Sequence, residues 1–153
     1  MPDNPFAATY INADDADLYF QTRLDSGAWD DASFESRTKA LYEATRRIDR
    51  LNFAGKKTDA AQVLEFPRDG NTAVPQDILI AACEIAFCLL DGVDVEMEMK
   101  LINTTSQSFD TVHEVYDRFV VREHIRAGIP SAVAWTHLRP YLQDTFQISL
   151  VKV

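Results

Sequence analysis

Residues 75–90 read PQDILIAACEIAFCLL and include the most apolar run of the chain. Proline is favoured in the first turn of a helix and Gly92 can stop one, so a helix is predicted over residues 75–91. More than half of its circumference is apolar, at Ile78, Leu79, Ala82, Ile85, Ala86, Leu89 and Leu90. A helix with so little polar surface is buried. We therefore predict a central helix, which is too short to span a bilayer.

Three further helices are predicted to pack around it, over residues 13–24, over residues 33–52, and after residues 129–131 with a kink or end at Pro140. The apolar faces are Ala13, Ala16, Tyr19, Phe20 and Leu24 for the first, Phe34, Leu41, Ala44, Ile48 and Leu51 for the second, and Ala134, Trp135, Leu138, Tyr141 and Leu142 for the last. The N-cap candidates are Asn12 or Asp14 for the first and Asp30, Asp31 or Ser33 for the second.

The remaining stretches are predicted to differ in structure. Residues 53–74 are a loop, because Pro67 and the Asp-Gly-Asn run after it prevent a continuous helix. Residues 93–103 alternate like a strand, but glutamate and methionine favour the helical continuation that we expect. Residues 109–121 are rich in valine and aromatics and predict a strand or hairpin arm. The predicted fold is mainly α, a small helical bundle with a β-rich arm over about residues 104–123.

The C-terminal residues 143–153 alternate apolar and polar side chains, which is typical of a β-strand. The apolar members are Phe146, Ile148, Leu150, Val151 and Val153. No neighbouring turn offers a local partner strand. Two interpretations stay open: an edge strand that pairs with residues 109–121, or an extended C-terminal tail that adds a strand to the sheet of another protein.

The chain has 153 residues, the size of one domain, with 24 acidic and 15 basic side chains and a net charge of -9. A protein with a negative net charge gains nothing from the general electrostatic attraction to phosphates, which argues against a free nucleic-acid binder. The charge is uneven, since an acidic N-terminal part precedes a basic stripe on the second helix. The acidic candidates are Asp14, Asp15 and Asp17, and the stripe is Lys39, Arg46 and Arg50. The stripe is either a solvated helix face or a contact surface, and in an oligomer the two patches could meet between copies.

No motif of catalysis or of cofactor or metal binding is complete. Residues 55–58, GKKT, lack the earlier glycine of a phosphate loop, and His113-Glu114 lacks the second histidine of a zinc-protease helix. Cys83 and Cys88 would lie about 140° apart on a helix, so we expect two reduced thiols. We predict a protein that is not an enzyme, has no cofactor and no membrane span, and is made in a cytoplasm.

Short motifs are spread over most of the chain and are densest between residues 9 and 90. They include Thr9-Tyr10-Ile11, Trp29, Lys39-Ala40-Leu41, Gly55-Lys56-Lys57-Thr58-Asp59, Gln62-Val63-Leu64, Phe66-Pro67-Arg68, Val74-Pro75, Gly128-Ile129-Pro130-Ser131 and Leu138-Arg139-Pro140-Tyr141-Leu142. Together they resemble the head–tail adaptor (head-completion) proteins of tailed bacteriophages, which often carry the label "DnaT-like single-stranded-DNA-binding protein". The Pro-Arg pair in the loop before the proline-started helix is the most specific element.

The resemblance implies a helical adaptor domain over residues 1–142 and an extended tail over residues 143–153. Copies are expected to form a ring, twelve-fold, beneath the portal protein, with the tail segment anchored on the portal. The opposite face would receive the tail or nozzle protein, and DNA would only pass through the lumen. The expected location is the virion at the head–tail interface, and the host cytoplasm during assembly.

Two other functions remain as alternatives. A single-stranded-DNA-binding or replication protein fits the label, and would need a basic groove with stacking aromatics. An enzyme with an unrecognised site would need a pocket with converging titratable groups.

Overall fold

The structure is a computed structural model that describes residues 4–103, 106–109, 112–115 and 123–143. Its elements in chain order are α1 Ala13–Phe20, α2 Gly27–Asp30, α3 Phe34–Asp49, α4 Gln76–Leu90, α5 Val95–Asn103, β1 Ser106–Phe109, β2 Val112–Val115, α6 Glu123–Arg126 and α7 Ala132–Leu138, followed by a 3-10 turn at Arg139–Tyr141. This order confirms a mainly helical fold. None of the helices in the described ranges has the length and hydropathy of a membrane span.

Helix α4 lies at the centre, as predicted, and packs against α3 and α7 and more lightly against α1 and α2. Its buried apolar residues are Ile78, Ala81, Ala82, Cys83, Ile85, Ala86 and Phe87. Helix α3 buries Ala40, Leu41, Ala44, Thr45 and Ile48. Alanines on both helices keep the side-chain layer between them thin, which allows the two backbones to approach closely. The buried central helix is thereby confirmed.

The helix starts follow the predicted caps. The Asn12 side chain accepts a hydrogen bond from the backbone N–H of Asp15 at 2.8 Å, so Asn12 rather than Asp14 is the cap. Ser33 accepts from Ser36 N–H at 3.1 Å. Each cap satisfies a backbone donor that has no partner within its helix, and so places the helix start at a defined residue.

The N-terminal layer, residues 13–37, comprises α1, α2 and the first turn of α3. The ring of Phe20 stacks on Trp29 with centroids 4.4 Å apart. Trp29 Nε1 donates to Asp17 Oδ1 at 2.7 Å, and Arg37 donates both to Asp17 at 3.3 Å and to the Trp29 carbonyl at 2.9 Å. These polar contacts join α1, α2 and the start of α3 in addition to the apolar core that Ala16, Phe20 and Trp29 share.

Residues 53–74 form a loop, as predicted, and Arg68 organises it. The Arg68 guanidinium donates to the carbonyls of Phe53, Ala54 and Gly55 at 3.4, 3.0 and 2.8 Å. The rings of Phe53 and Phe66 meet edge to face at 4.7 Å beneath it. A loop of this length is therefore held by one buried cation and an aromatic pair.

Two apolar positions were predicted wrongly. Helix α1 ends at Phe20, and Leu24 beyond it is fully exposed. Phe34 is 63% exposed, because the side chain at the first position of α3 precedes the turns that face α4. Periodicity places a residue on a helix face but does not show how far along the helix its neighbours extend.

The later segments differ in part from prediction. Residues 93–103 are helical, as expected, but α5 is separate from α4 because Gly92 adopts φ 87°. The β-rich arm is not supported: within the described ranges the strands are limited to one antiparallel hairpin of β1 and β2. β-Branched residues favour strands only where partner strands and burial exist. Residues 116–122 and the tail after Gln143 lie outside the described residues.

Candidate interaction surfaces

The basic stripe of α3 is present but largely neutralised. Lys39 Nζ lies 2.5 Å from Glu35 Oε1, and Arg46 lies 2.9 Å from Glu43 Oε2. The carboxylate of Glu35 has its pKa lowered by the hydrogen bond from Lys39. Arg50 is exposed, caps the helix, and has no ion-pair partner among the described residues. Of the three predicted cations, Arg50 can therefore bind a partner without first breaking an ion pair within the described residues.

The acidic candidates do not meet this stripe. Asp17 accepts hydrogen bonds from Trp29 and Arg37, and Asp15 accepts one from the Asn12 amide at 3.0 Å. Asp14 is exposed. No ion pair within the described ranges joins the two predicted patches, so a meeting of the two would have to occur between copies.

An exposed aromatic residue contacts the stripe through its main chain. Phe6 is 73% exposed, and its carbonyl accepts a hydrogen bond from Arg46 Nη1 at 3.5 Å. Arg50 lies one helical turn beyond Arg46. The exposed ring of Phe6 can stack on a nucleobase or on an apolar partner side chain, and sequence reasoning did not connect Phe6 with the stripe.

The central helix carries a buried carboxylate, Glu84, which is 3% exposed. It accepts hydrogen bonds from Tyr19 Oη at 2.5 Å and from Arg23 Nε and Nη2 at 2.8 and 3.1 Å. The Arg23 guanidinium also lies 3.9 Å from the centroid of the Phe87 ring. The hydrogen bond to Glu84 raises the pKa of Arg23, and burial raises that of Tyr19. The cluster ties α1 to α4 and leaves its charges satisfied, so its role is structural.

A half-buried carboxylate, Asp49, accepts a hydrogen bond from the Tyr10 hydroxyl. The same hydroxyl accepts from Phe66 N–H at 3.3 Å, so the N-terminal segment, the end of α3 and the loop meet at one point. Burial is the largest cause of the raised pKa of Asp49. The sequence signal for this contact was the Thr9-Tyr10-Ile11 motif, which carries no indication of its partner.

At the start of α4, Asp77 joins two residues of the C-terminal helical segment. Its carboxylate lies 2.8 Å from His137 Nδ1 and 2.9 Å from Tyr141 Oη. The hydrogen bonds from His137 and then Tyr141 lower the pKa of Asp77. An aspartate and a histidine could serve proton transfer, but the hydrogen bonds of Asp77 lead to His137 and Tyr141, and neither is a serine or cysteine nucleophile.

The described residues show the state of both cysteines and the arrangement of the candidate metal ligands. Both cysteines are free, as expected, and burial raises the pKa of Cys83 to about 12. A thiol with this pKa stays protonated and unreactive at neutral pH. The described residues contain no group of three or more histidine, cysteine or carboxylate side chains placed to hold a metal ion. Non-enzymatic function stays a prediction.

The predicted partner-binding residues Phe146, Ile148, Leu150, Val151 and Val153 lie outside the described residues. The structure shows where this segment begins: Leu142 bridges Phe53 in antiparallel fashion, and Gln143 N–H donates to the Asn52 carbonyl at 2.9 Å. The chain therefore leaves the helical domain beside the loop that Arg68 organises.

Comparison with known proteins identifies a family but no individual relative. No match was found among curated proteins or among solved structures. One family model matches residues 3–153, almost the whole chain, and its description names neither a bacteriophage nor an adaptor. With this coverage the chain belongs to the family described as "Putative DnaT-like ssDNA binding protein".

Proposed function

We propose that this protein is a structural head–tail adaptor of a tailed bacteriophage, which forms a ring beneath the portal and passes DNA without gripping it. The observation that carries the proposal is the internal pairing of cations. Seven of the described lysines and arginines lie within 4.0 Å of a carboxylate of the same chain. A surface on which more than half of the described cations already lie beside a carboxylate, on a chain of net charge -9, suits contact with protein better than with phosphates.

In this proposal residues 1–142 form the body of the ring subunit and residues 143–153 anchor it on the portal protein. The tail or nozzle protein would bind the opposite face. The exit of the chain at Gln143, paired with Asn52, supports the anchor because it starts the segment in an extended conformation. An extended segment can add to the sheet of another protein through main-chain hydrogen bonds.

The adaptor is tested by deleting residues 143–153 and measuring incorporation into portal-containing heads. The shortened chain should remain folded by circular dichroism and fail to join the heads. A matched control replaces only the polar Thr145, Gln147 and Ser149 by alanine, which should keep incorporation. Normal incorporation of the shortened chain would contradict the anchor.

Single-stranded DNA binding is the second candidate, and the family description favours it over the adaptor. The place for it is the exposed Phe6, whose carbonyl contacts Arg46, with Arg50 one helical turn further along α3. Stacking of a base on an aromatic side chain contributes about 1–3 kcal/mol, and the two arginines would contact the backbone phosphates.

An electrophoretic shift with labelled single strands separates the two functions. The adaptor predicts weak binding that does not change between the wild-type chain and a Phe6→Ala/Arg50→Ala variant. Tight binding that falls steeply with salt, and falls again in this variant but not in a Lys39→Ala control, would establish the second candidate and overturn the first.

A further inference from the structure

The C-terminal end of the described domain is attached to the loop after α3 by a short antiparallel ladder. Ala54 N–H donates to the Tyr141 carbonyl, and Gln143 N–H donates to the Asn52 carbonyl, each at 2.9 Å. An antiparallel bridge lies between these two bonds. The ladder therefore fixes the backbone directly before the segment that the sequence predicts to bind a partner. At Gln143 the chain points toward the C-terminal end of α3, because residue 141 pairs with residue 54 and residue 143 with residue 52.

Tyr141 is held by three different parts of the molecule. Its hydroxyl donates to Asp77 Oδ2 at 2.9 Å at the start of α4, and its ring meets that of Phe66 edge to face at 5.7 Å. Its carbonyl accepts the ladder bond from Ala54. The other oxygen of the Asp77 carboxylate lies 2.8 Å from His137 Nδ1, which keeps the carboxylate oriented toward the tyrosine. One residue thus connects the central helix, the loop and the start of the C-terminal segment.

Arg68 orders the opposite strand of the ladder. Its guanidinium donates to the carbonyls of residues 53–55, and two of these three residues belong to the ladder. Arg68 therefore holds one strand while Tyr141 holds the other. Backbone that is already ordered loses less conformational entropy when it binds a partner, so the same contacts give a tighter complex.

We propose that Arg68, Asp77 and Tyr141 form an exit clamp, which fixes where residues 143–153 leave the domain and thereby sets how tightly that segment joins its partner protein. The three are positioning residues, since none of them has to touch the partner. The clamp follows from contacts within this chain, whereas its effect on joining rests on the proposed anchoring by residues 143–153. Order and binding are linked in both directions, so a partner bound to the segment stabilises the ladder in return.

The clamp is tested first in the free chain, by hydrogen exchange at the two amides that donate in the ladder. Tyr141→Phe removes the hydrogen bond to Asp77 and keeps the ring against Phe66, and should speed exchange at both amides about fivefold. The matched control Tyr19→Phe removes a bond of the same kind, to Glu84 on the same helix but away from the ladder, and should leave both amides unchanged. Unchanged exchange in Tyr141→Phe, or equal acceleration in the control, would overturn the clamp.

Arg68→Lys tests the opposite strand. It keeps a cation beside Glu65 but cannot reach all three carbonyls, so it should also speed exchange at the two ladder amides. A general loss of stability would speed exchange everywhere, and the amide of the buried Ile85 reports it. Acceleration that is larger at the ladder than at Ile85 supports the clamp, and equal acceleration at the two places contradicts it.

Joining to portal-containing heads tests the consequence for binding. Half-maximal incorporation should need about fivefold more of the Tyr141→Phe chain than of the wild type, and no more of the Tyr19→Phe chain. Equal requirements for the two variants would overturn the effect of the clamp on joining. Failure of the proposed function gives a different result, since the chain without residues 143–153 would then join heads normally. In that case exchange in the free chain still decides whether the clamp exists.

Discussion

The loop around Arg68 and the outer surface of α3 both contain a cation paired with a glutamate, but the fold depends only on the pair in the loop. The Arg68 side chain is 10% exposed and donates to the carbonyls of residues 53–55, so it replaces the backbone partners that a regular element would provide. Lys39 and Glu35 form an ion pair at 2.5 Å, as close as the 2.7 Å between Arg68 and Glu65, but their side chains are 72% and 75% exposed. Burial rather than proximity decides which ionic contact the fold depends on, because water competes for the exposed pair.

The largest expected effect is at Arg68. Replacement by alanine leaves the carbonyls of residues 53–55 without the donors of the buried guanidinium and takes one of two cations from Glu65, and we expect a loss of about 3 kcal/mol in the free energy of unfolding. Urea unfolding measures it. The stability of Arg68→Lys should lie between that of the wild type and that of Arg68→Ala, because one ammonium cannot reach all the carbonyls that a planar guanidinium spans. A loss no larger than that of a surface variant would contradict the central role of this residue.

A smaller effect is expected at Glu84. The Glu84→Gln change keeps the shape but removes the charge that Arg23 and Tyr19 donate to, which should cost about 2 kcal/mol. The matched control is Glu96→Gln on the exposed side of α5. Equal unfolding midpoints for the two variants would show that the buried pair contributes no more than a surface charge.

The half-buried Asp49 predicts a pH dependence of definite sign. Burial raises its pKa above the ordinary 3.8, so between 3.8 and the raised value the folded state binds more protons than the unfolded chain. Stability from this group is therefore lost as pH rises through that interval. Relative to wild type, Asp49→Asn should gain stability over the same interval in urea unfolding at several pH values. A wild-type curve parallel to that of the variant would refute the assignment.

Asp77 should show the reverse sign with a smaller amplitude, because its surroundings are exposed. Its pKa is lowered from 3.8 by hydrogen bonds from His137 and Tyr141. The stability it contributes is present above 3.8 and is lost as pH falls through the lowered value. When the free energy of unfolding is measured against pH, an Asp77→Asn variant should no longer lose stability as pH falls below 3.8. It should still show the loss of stability with rising pH that is due to Asp49.

The smallest effect is expected at Lys39. Its contact with Glu35 is surrounded by solvent, so Lys39→Gln should leave the unfolding midpoint unchanged within error, and added salt should not alter the comparison. A clear destabilisation here would remove the contrast between the two regions.

Much of the helical framework could be predicted from local sequence. The starts of α1 and α3 follow from Asn12 and Ser33, and α4 follows from Pro75 and the apolar run after it. These signals act within one or two turns of a helix, so neighbouring residues are enough to determine them. The same locality explains the error at Leu24, since nothing nearby shows that the contacts of α1 end at Phe20.

The candidate surfaces could be predicted only in part. The stripe of Lys39, Arg46 and Arg50 was visible as a helical pattern, but the exposed Phe6 beside it comes from a segment forty residues earlier. The joining of Asp17, Trp29 and Arg37 spans up to twenty residues in the same way. Periodicity reports the direction of a side chain around a helix and contains no information about a distant partner.

Sequence alone was sufficient for the helical class, the central position of α4 and the overall negative charge, because each depends on composition or on spacing along the chain. Tertiary structure decided which charges are buried. Glu84 and Arg68 look like ordinary polar residues in the sequence, and become essential only where the packing of α1, α4 and the loop removes water from them. Long-range packing sets the local dielectric, and the dielectric sets what each charge contributes.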